Sequence, residues 1–586
     1  MQTVKVLGNK GWLAFIVSLI VMYGYGVLSP QHYGLGKLDA FISTVVTMII
    51  SIGLLVWYLT NTTTYRALSS YIWLLAIVVF LLQPLMHGYH YFDSLIFPVG
   101  VLLVAFFISQ TVINFNENEK TIATHLLAMA MTITGLLLVM TQALQLFCPS
   151  LPSSFIMPNM SNRLSGNIAQ PNQASFVIAM AVATFLYLIY LYEKKINNHK
   201  FYAIVIALIL TIFGMGIGLS VSRAGLFLVC AALIGSYFYQ WRNKNSKFAV
   251  LILASFCLSV GYWLGSELVA NYLIAVSSLE RMADESSLGI RATLVKQAFL
   301  AFQSSPIVGL GYENFNHFGT QHPDIALLIN ADNAHNVFAQ IAAEFGLLGL
   351  LCLLGFVAII IRNANRFFTS RLNGYQTLSF VILTIVGLYS LSEYPLWYAR
   401  FLFLSAFFIA LLDKPIKAKI VVVNKFFSII LIITIFFCGF YIKKYDDYLK
   451  VYEEVIQSDK PYNKRLEAFG ELSNVFGYNK YKESLYYLLM APDLNKINNQ
   501  VKFGDNVIKA YGFDYMLEKQ ATLLAYAGQK NASEILYKAL CQRERTDNIT
   551  QNLPSNCSKT LSAIKEVNPP NAQNYINNLI MWQKVQ

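Results

Sequence analysis

The fold is decided by residues 201–242, which read FYAIVIALILTIFGMGIGLSVSRAGLFLVCAALIGSYFYQWR. Two apolar runs begin at Phe201 and Gly225, and a short junction containing Ser220, Ser222 and Arg223 separates them. Apolar runs of roughly 17 to 25 residues cross a bilayer as helices, because a helix satisfies every backbone polar group within the segment. This stretch therefore predicts two membrane-spanning helices joined by a tight polar turn.

The same pattern recurs along most of the chain. Its 586 residues are 56% hydrophobic and only 13% charged, whereas about 25% of the residues in a soluble domain are charged. This composition excludes a soluble globular enzyme, a disordered protein and a coiled coil. We predict an all-α, polytopic membrane protein with about 13 spans. The runs begin near Trp12, Phe41, Tyr71, Leu95, Thr121, Gln173, Phe201, Gly225, Phe248, Val337, Tyr375, Phe401 and Phe426.

The placement of the basic residues indicates the orientation of these spans. The net charge is +12, but in membrane proteins Lys and Arg concentrate in cytoplasmic loops, so we expect no nucleic-acid partner. With the N-terminus inside, most loop Lys and Arg fall on the cytoplasmic side, and an odd number of spans puts the C-terminus outside. Residues 11–29 lack a small-residue cleavage site, so we expect the first helix to be retained.

We divide the sequence into two domains. Residues 1–442 form the membrane domain, including a large periplasmic loop at 266–336, and residues 443–586 form a periplasmic helical domain. Polar residues are concentrated in the outer loops, which indicates that the functional site lies on the outer face of the membrane.

The soluble tail shows apolar residues at helical spacing, as in Leu466, Phe469, Leu472 and Phe476. We predict helix pairs that resemble a tetratricopeptide array, although no strict period is visible. The Tyr-rich stretch 481–487 predicts either contact area for an acceptor protein or packing within helices. The tail contains no histidine, so we expect it to serve recognition or to act as a lid, without carrying the chemistry.

The cysteines favour a disulfide over a metal site. Cys541 and Cys557 both lie in the tail, where an oxidising compartment allows them to pair; two free buried thiols are the alternative. No Cys/His cluster has zinc spacing and no DxD-type motif stands in the outer loops, so we expect no metal and no cofactor.

The first polar cluster comprises Arg163, Gly166, Asn167, Gln170 and Asn172, directly before a predicted helix. An Arg beside a helix N-terminus suits an anionic group such as phosphate. A turn that only caps the helix is the alternative.

The second cluster, Ser220 to Gly225, lies between two spans with no room for a real loop. Polar groups at membrane depth are costly unless they are used, so Ser222 and Arg223 are predicted to line a pocket. An Arg that snorkels to the membrane surface is the alternative.

The third cluster contains Arg281, Arg291 and Lys296, followed by Gly309 and Gly311. The two glycines are similar to a phosphate-binding loop, but the third glycine and the βαβ context are missing, so that interpretation is rejected. The arginines taken singly are ordinary surface charges.

The fourth cluster is Asp332 to Val337, before an apolar helix that carries Gln340 and Glu344. His335 and Asn336 lie at an outward-facing helix start. Histidine accepts a proton near neutral pH, so His335 is suited to activate a hydroxyl that attacks an electrophile. Three arginines and this histidine on one face are what transfer from a lipid-linked diphosphate requires, with arginine in place of a divalent ion.

Taken in order, these motifs are similar to those of the bacterial O-linked oligosaccharyltransferases of the PglL type, relatives of the O-antigen ligases and Wzy polymerases. The resemblance also includes His32 after the first span, and Glu393 in Glu-Tyr-Pro-Leu-Trp-Tyr. One departure is Tyr389, where the family often has histidine, and this puts a catalytic role at that position in doubt.

The resemblance implies a GT-C-type fold and O-linked protein glycosylation. The donor would be an undecaprenyl-diphosphate-linked oligosaccharide and the acceptor a Ser or Thr of a protein such as a type IV pilin, in the bacterial inner membrane. His335 would be catalytic, and Arg163, Arg223 and Arg291 would bind the diphosphate. The supporting residues would be His32, Asn167, Gln170, Asn172, Ser222, Arg281, Asn336, Glu344 and Glu393.

Three alternatives stay open. An O-antigen ligase acting on lipid A core and an O-antigen polymerase share the same donor chemistry. A polysaccharide transporter is a different class, but transporters place charges near the bilayer midplane, whereas these basic residues gather at the outer face.

Overall fold

The computed structural model describes residues 11–32, 40–87, 91–159, 161–192, 199–242, 248–273, 286–322, 331–369, 372–417, 424–456 and 460–547. Within these ranges the protein is predominantly helical, as predicted. The chain forms two compact units. The first comprises Met1–Ile77, Gly100–Glu285 and Cys352–Tyr445, and the second comprises Val78–Val99, Ser286–Leu351 and Asp446–Gln586.

Nine helices are described up to residue 273. They are α1 (Gly11–Leu28), α2 (Ala40–Thr60), α3 (Leu68–His87), α4 (Ile96–Val112), α5 (Glu117–Phe147), α6 (Pro171–Tyr192), α7 (His199–Ser220), α8 (Arg223–Arg242) and α9 (Phe248–Leu273). Eleven more helices are described after it. They are α10 (Ser286–Ser304), α11 (Phe315–Gln321), α12 (Val337–Phe368), α13 (Gly374–Ser390), α14 (Ala399–Leu412), α15 (Asn424–Ile456), α16 (Tyr462–Gly470), α17 (Asn479–Leu489), α18 (Ile497–Ala510), α19 (Asp514–Tyr526) and α20 (Lys530–Asp547).

The predicted spans are confirmed as helices. Among the described residues, ten helices are long and apolar enough to cross a membrane. Three further apolar helices, α8, α13 and α14, occupy the other predicted positions. A multi-pass membrane protein follows from this pattern.

A feature that the sequence analysis did not anticipate is a small antiparallel strand pair in the first unit. Tyr65–Ala67 (β1) pairs with Pro415–Lys417 (β2), with Arg66 opposite Ile416. The pair joins the chain before α3 to the chain after α14. Two segments far apart in sequence are thereby fixed beside each other.

The closest helix packing in the first unit joins α7 to α9. Gly214 and Gly218 of α7 face Gly261 and Gly265 of α9, and a Cβ atom on any of the four would overlap the opposing backbone. Small residues four apart allow this approach between membrane helices, where dispersion contacts replace the hydrophobic effect. The packing fixes the end of α7, from which Ser220 to Arg223 lead into α8.

Helix α6 is the central helix of the first unit. It packs against α5, α7, α8 and α13, and 78% of the residues in its most apolar stretch are buried. Pro171 is its first residue, a position that proline favours because its missing N–H has no helical partner there. The buried helix α6 therefore begins at the polar cluster that contains Asn172.

In the second unit, the tail forms consecutive packed helices. α17 packs on α18, α18 on α19, and α19 on α20. Alternate helices, which begin at Tyr462, Ile497 and Lys530, start roughly 34 residues apart, the spacing of tetratricopeptide helix pairs.

The apolar positions predicted for the tail are only partly buried. Leu472 is buried as predicted, whereas Leu466 and Phe476 are 42% and 53% exposed. Leu466 lies in the nine-residue helix α16 and Phe476 in the turn region after it, so the predicted periodicity has too few helical turns to define one face.

Candidate functional site

Backbone strain marks all four polar clusters. Among the described residues, the non-glycine residues with positive φ are Ala169 (68°), Val221 (47°), Glu313 (64°) and His335 (49°). Ala169, Val221 and His335 lie in the first, second and fourth predicted clusters, and Glu313 lies two residues after Gly311 of the third. Left-handed conformations of this kind cost about 1–3 kcal/mol and persist only where the surrounding structure imposes them, often at functional sites. The clusters are therefore built segments, not ordinary connecting loops.

Asn172 joins three of the predicted residues in the first unit. Its Oδ1 atom accepts hydrogen bonds from Arg163 Nη2 at 2.7 Å and from Ser222 Oγ at 3.1 Å. Its Nδ2 atom donates to Glu393 Oε1 at 2.8 Å. The first and second clusters and the Glu393 segment thus meet at one amide, which the sequence analysis did not identify as the centre.

The Arg163 loop is fixed to the Ser220 junction by two further bonds. Arg163 Nε donates to the Ser220 carbonyl at 3.0 Å, and Leu164 N donates to the Leu219 carbonyl at 3.0 Å. The guanidinium group is therefore oriented by the end of α7 as well as by Asn172. Arg223 follows directly as the first, half-buried residue of α8.

Asn167 and Gln170 support this loop through the backbone. Asn167 is 4% exposed, and its Nδ2 donates to the carbonyls of Leu28 at 2.9 Å and Phe155 at 2.8 Å. Gln170 Oε1 accepts from the backbone N–H of Gln173, so it caps the start of α6. Asn167 and Gln170 therefore fix the backbone on either side of the Ala169 turn. His32 is half-buried just after α1.

Arg400 belongs to the first unit's polar residues but was not among the predicted site residues. It is 1% exposed, its Nη2 donates to Gln173 Oε1 at 2.6 Å, and its guanidinium lies 4.7 Å from the Tyr398 ring centroid. A buried arginine needs such partners because an unpaired charge is costly. Its position two residues after the Glu393–Tyr398 motif was the available signal.

Tyr389 is buried and packs against another aromatic side chain. It is 1% exposed and its ring is stacked on Phe176 of α6, with centroids 4.3 Å apart. This contact places α13 against the central helix. Where the resemblance leads us to expect a histidine, Tyr389 therefore forms a packed aromatic pair with Phe176.

In the second unit, the two glycines of the third cluster have a structural explanation. Helix α12 is interrupted at Gly346 (φ 59°, ψ −150°). Leu310 N and Gly311 N donate to the carbonyls of Ala343 at 2.8 Å and Glu344 at 3.0 Å. The segment before α11 thereby satisfies backbone groups that the helix break leaves unpaired, as a broken membrane helix requires.

Only glycine fits at this backbone contact. Gly309 has φ 72°, and a Cβ atom there would overlap the main chain at Glu344. A Cβ atom on Gly346 would overlap the main chain at Ile307. Glu344 itself is 1% exposed. Gly309 and Gly311 therefore hold a broken helix together, which agrees with the rejection of a phosphate loop.

His335 lies in a tightly hydrogen-bonded turn before α12. Its N–H donates to Asn333 Oδ1 at 3.1 Å, and Ala334 N donates to Gln340 Oε1 at 2.7 Å. Asn336 Oδ1 accepts from Ala339 N at 3.0 Å and so caps α12. The half-buried imidazole is presented by a backbone that its neighbours fix.

The other predicted residues are placed as follows. Arg291 is half-buried on α10. Arg281, Cys557 and the side chain of Cys541 lie outside the described residues. Among the described residues, no group of three or more His, Cys, Asp or Glu side chains is placed to hold a metal ion.

These elements define a class of protein: a multi-pass α-helical membrane protein with strained, arginine-containing segments at its helix ends. Residues 206–354 match the sequence model described as O-antigen ligase, and this match supports the O-antigen ligase/Wzy superfamily that the motifs predict. No curated protein matches the chain. The match supports a ligase-like or polymerase-type function, and the matched family implies lipid-linked polysaccharide substrates.

Proposed function

We propose that the protein is an O-linked oligosaccharyltransferase. It transfers an oligosaccharide en bloc from undecaprenyl diphosphate to Ser or Thr of a periplasmic protein such as a type IV pilin. The observation that carries the proposal is the O-antigen ligase match at residues 206–354, because this segment includes Ser222, Arg223, Arg291 and His335.

The arginines act on the donor. Arg163, Arg223 and Arg291 bind the diphosphate and neutralise the charge that develops as it leaves. Arg163 is held by Asn172 and by the Ser220 carbonyl. A guanidinium oriented in advance needs little reorganisation when negative charge appears. In this scheme the reaction is independent of a divalent ion.

His335 acts on the acceptor. It accepts the proton of the Ser or Thr hydroxyl while the hydroxyl oxygen bonds to the anomeric carbon of the first sugar. The bond between that carbon and the diphosphate oxygen breaks, and the lipid diphosphate leaves with the electron pair. The strained backbone at His335 (φ 49°) supports this role.

We also propose the cellular arrangement. The protein lies in the bacterial inner membrane, with residues 1–442 as the membrane domain and with the catalytic residues and residues 443–586 on the periplasmic side. The positive-inside distribution of loop Lys and Arg supports this orientation. The helical tail favours a protein acceptor over lipid A core, because helical repeats bind extended peptides along their surfaces.

The experiment is an acceptor competition with purified protein in lipid nanodiscs. An undecaprenyl-diphosphate oligosaccharide is offered with a pilin-type protein, with lipid A core, or with a second donor molecule, and products are resolved by mass spectrometry. Glycopeptide formation by the wild type and not by His335→Ala supports the proposal. Product on lipid A core or a lengthened donor glycan, without glycopeptide, assigns the ligase or the polymerase instead. In a parallel assay with the protein in sealed vesicles, movement of the donor across the membrane without transfer assigns a transporter.

A further inference from the structure

A buried ion pair joins Lys480 of the tail to Glu313, which follows Gly311 of the third cluster. Both residues lie in the second unit. Lys480 Nζ on α17 lies 3.0 Å from Glu313 Oε2, and the two side chains are only 8% and 13% exposed. Removing an ammonium and a carboxylate from water is expensive, so such a pair is weak evidence for added stability. Its better-supported use is to select one arrangement of the chain.

Lys480 is anchored firmly on its own side. Its ammonium lies 5.5 Å and 5.8 Å from the ring centroids of Tyr481 and Tyr511. Just before α17, Gly477 N donates to Asp93 Oδ2 at 2.6 Å. The charge of Glu313 raises the pKa of Lys480 against the opposing effect of burial, which keeps the ammonium protonated.

Glu313 is anchored to the helix break and to the His335 turn. Its backbone is left-handed (φ 64°), and two residues earlier Gly311 N donates to the Glu344 carbonyl at 3.0 Å. Three residues later, Asn316 Nδ2 donates to Asp332 Oδ1 at 3.0 Å. The loop at Gly311–Glu313 and the start of α11 directly after it therefore contact Lys480, the break in α12 and the turn that presents His335.

We propose that Lys480 is a positioning residue for glycosyl transfer: by holding Glu313 it sets the loop that orients the His335 turn. This rests on the proposed role of His335. The tail then contributes to the chemical step itself, through the ion pair, in addition to any binding of the acceptor. A displacement of about 1 Å at a reacting group is sufficient to lower a rate on the order of 10²-fold.

The test uses the full-length protein with four variants. Lys480→Met and Glu313→Gln each remove one partner. The double variant K480M/E313Q removes both charges and leaves no unpaired buried ion, and the reversed pair K480E/E313K restores the attraction. The matched control is Lys482→Met on the same helix, whose ammonium bonds only within the tail in the contacts described, to the Leu472 carbonyl and Asn474 Oδ1.

The expected result is a fall in kcat on the order of 10²-fold for both single variants and for the double variant, with KM for the acceptor unchanged. The reversed pair is expected to recover part of the rate, and the control Lys482→Met is expected to keep the wild-type rate.

A raised KM with unchanged kcat overturns the proposal, because the tail then serves binding alone. A double variant with wild-type kcat also overturns it. If the wild type transfers to lipid A core or polymerises its donor, the same kcat comparison is made on that reaction, so failure of the protein-acceptor proposal is distinguished from failure of this one.

Discussion

Arg163 and Asn172 are joined by a 2.7 Å hydrogen bond from Nη2 to Oδ1. Because the same amide also contacts Ser222 and Glu393, the position of Arg163 depends on the starts of α6 and α8 and on the segment after α13. A turn that only capped α6 would not need these further bonds to Ser222 and Glu393. The relationship favours a binding function for the Arg163 segment over simple helix capping.

Asn172→Asp is expected to reduce transfer more than Asn172→Ala. Aspartate keeps the acceptor for Arg163 and Ser222 but loses the donor to Glu393, and it places two carboxylates together, which is unfavourable. Alanine only removes the bonds. Rates per milligram of folded protein measure this; equal rates for both variants and the wild type would show that the network does not orient Arg163.

His335→Ala is expected to lower transfer by about 10² to 10⁴-fold, the usual contribution of general-base catalysis, with abundance retained. His335→Gly is the informative control because glycine adopts the left-handed backbone without strain. If only the backbone mattered, the glycine variant would stay active. A glycine variant as inactive as the alanine variant assigns the effect to the imidazole.

Arg223→Lys and Arg291→Lys are each expected to reduce transfer sharply. Lysine keeps the charge but loses the planar fork that binds a diphosphate in a bidentate manner. Initial rates at saturating acceptor, with donor concentration varied, measure the effect. Wild-type protein is assayed in parallel with EDTA, and loss of its activity would contradict charge neutralisation by arginine alone.

The membrane spans were predictable because each is encoded by a local apolar run. Even the short helix α14 was identified, because twelve of its fourteen residues, all except Arg400 and Ser405, are apolar. The close contact between α7 and α9 could have been predicted from the sequence, because Gly214 and Gly218, and likewise Gly261 and Gly265, are four residues apart.

The arrangement of the polar groups was less predictable, because it depends on which helix ends meet. Sequence placed Arg163, Ser222 and Glu393 on one face but could not identify Asn172 as their common partner. Arg400 was missed for the same reason. Of the three tyrosines in the stretch 481–487, Tyr481 and Tyr487 are buried and Tyr486 is 44% exposed. The sequence of a Tyr-rich helix does not show which of its faces is packed.

Gly309→Ala is expected to destabilise the protein by at least about 1–3 kcal/mol from backbone strain alone, with the overlap at Glu344 adding to it. Gly439→Ala on α15 is the matched control, because a Cβ atom there meets nothing within 4 Å and alanine favours a helix by about 1 kcal/mol. Thermal unfolding in detergent and membrane abundance compare the two. Equal stability would contradict the backbone contact between Gly309 and the break in α12.

His317→Phe is expected to make the protein less sensitive to acid. Burial, with the nearby charges of Lys509 and His322, lowers the pKa of His317 from 6.5 to about 4, and its Nδ1 has no hydrogen-bond partner among the described residues. Between pH 6.5 and 4 the unfolded chain therefore binds more protons than the folded one, so stability is full above pH 6.5 and falls as the pH drops through this window. At pH 5 the loss is about 2 kcal/mol. Unfolding in detergent at pH 7 and pH 5 should show this difference in the wild type but not in His317→Phe. The control His322→Gln should keep most of it, because burial, and not the charge of the exposed His322, is the largest cause of the lowered pKa. Equal acid sensitivity in all three proteins would mean that His317 is protonated without cost and that its surroundings in α11 are open to water.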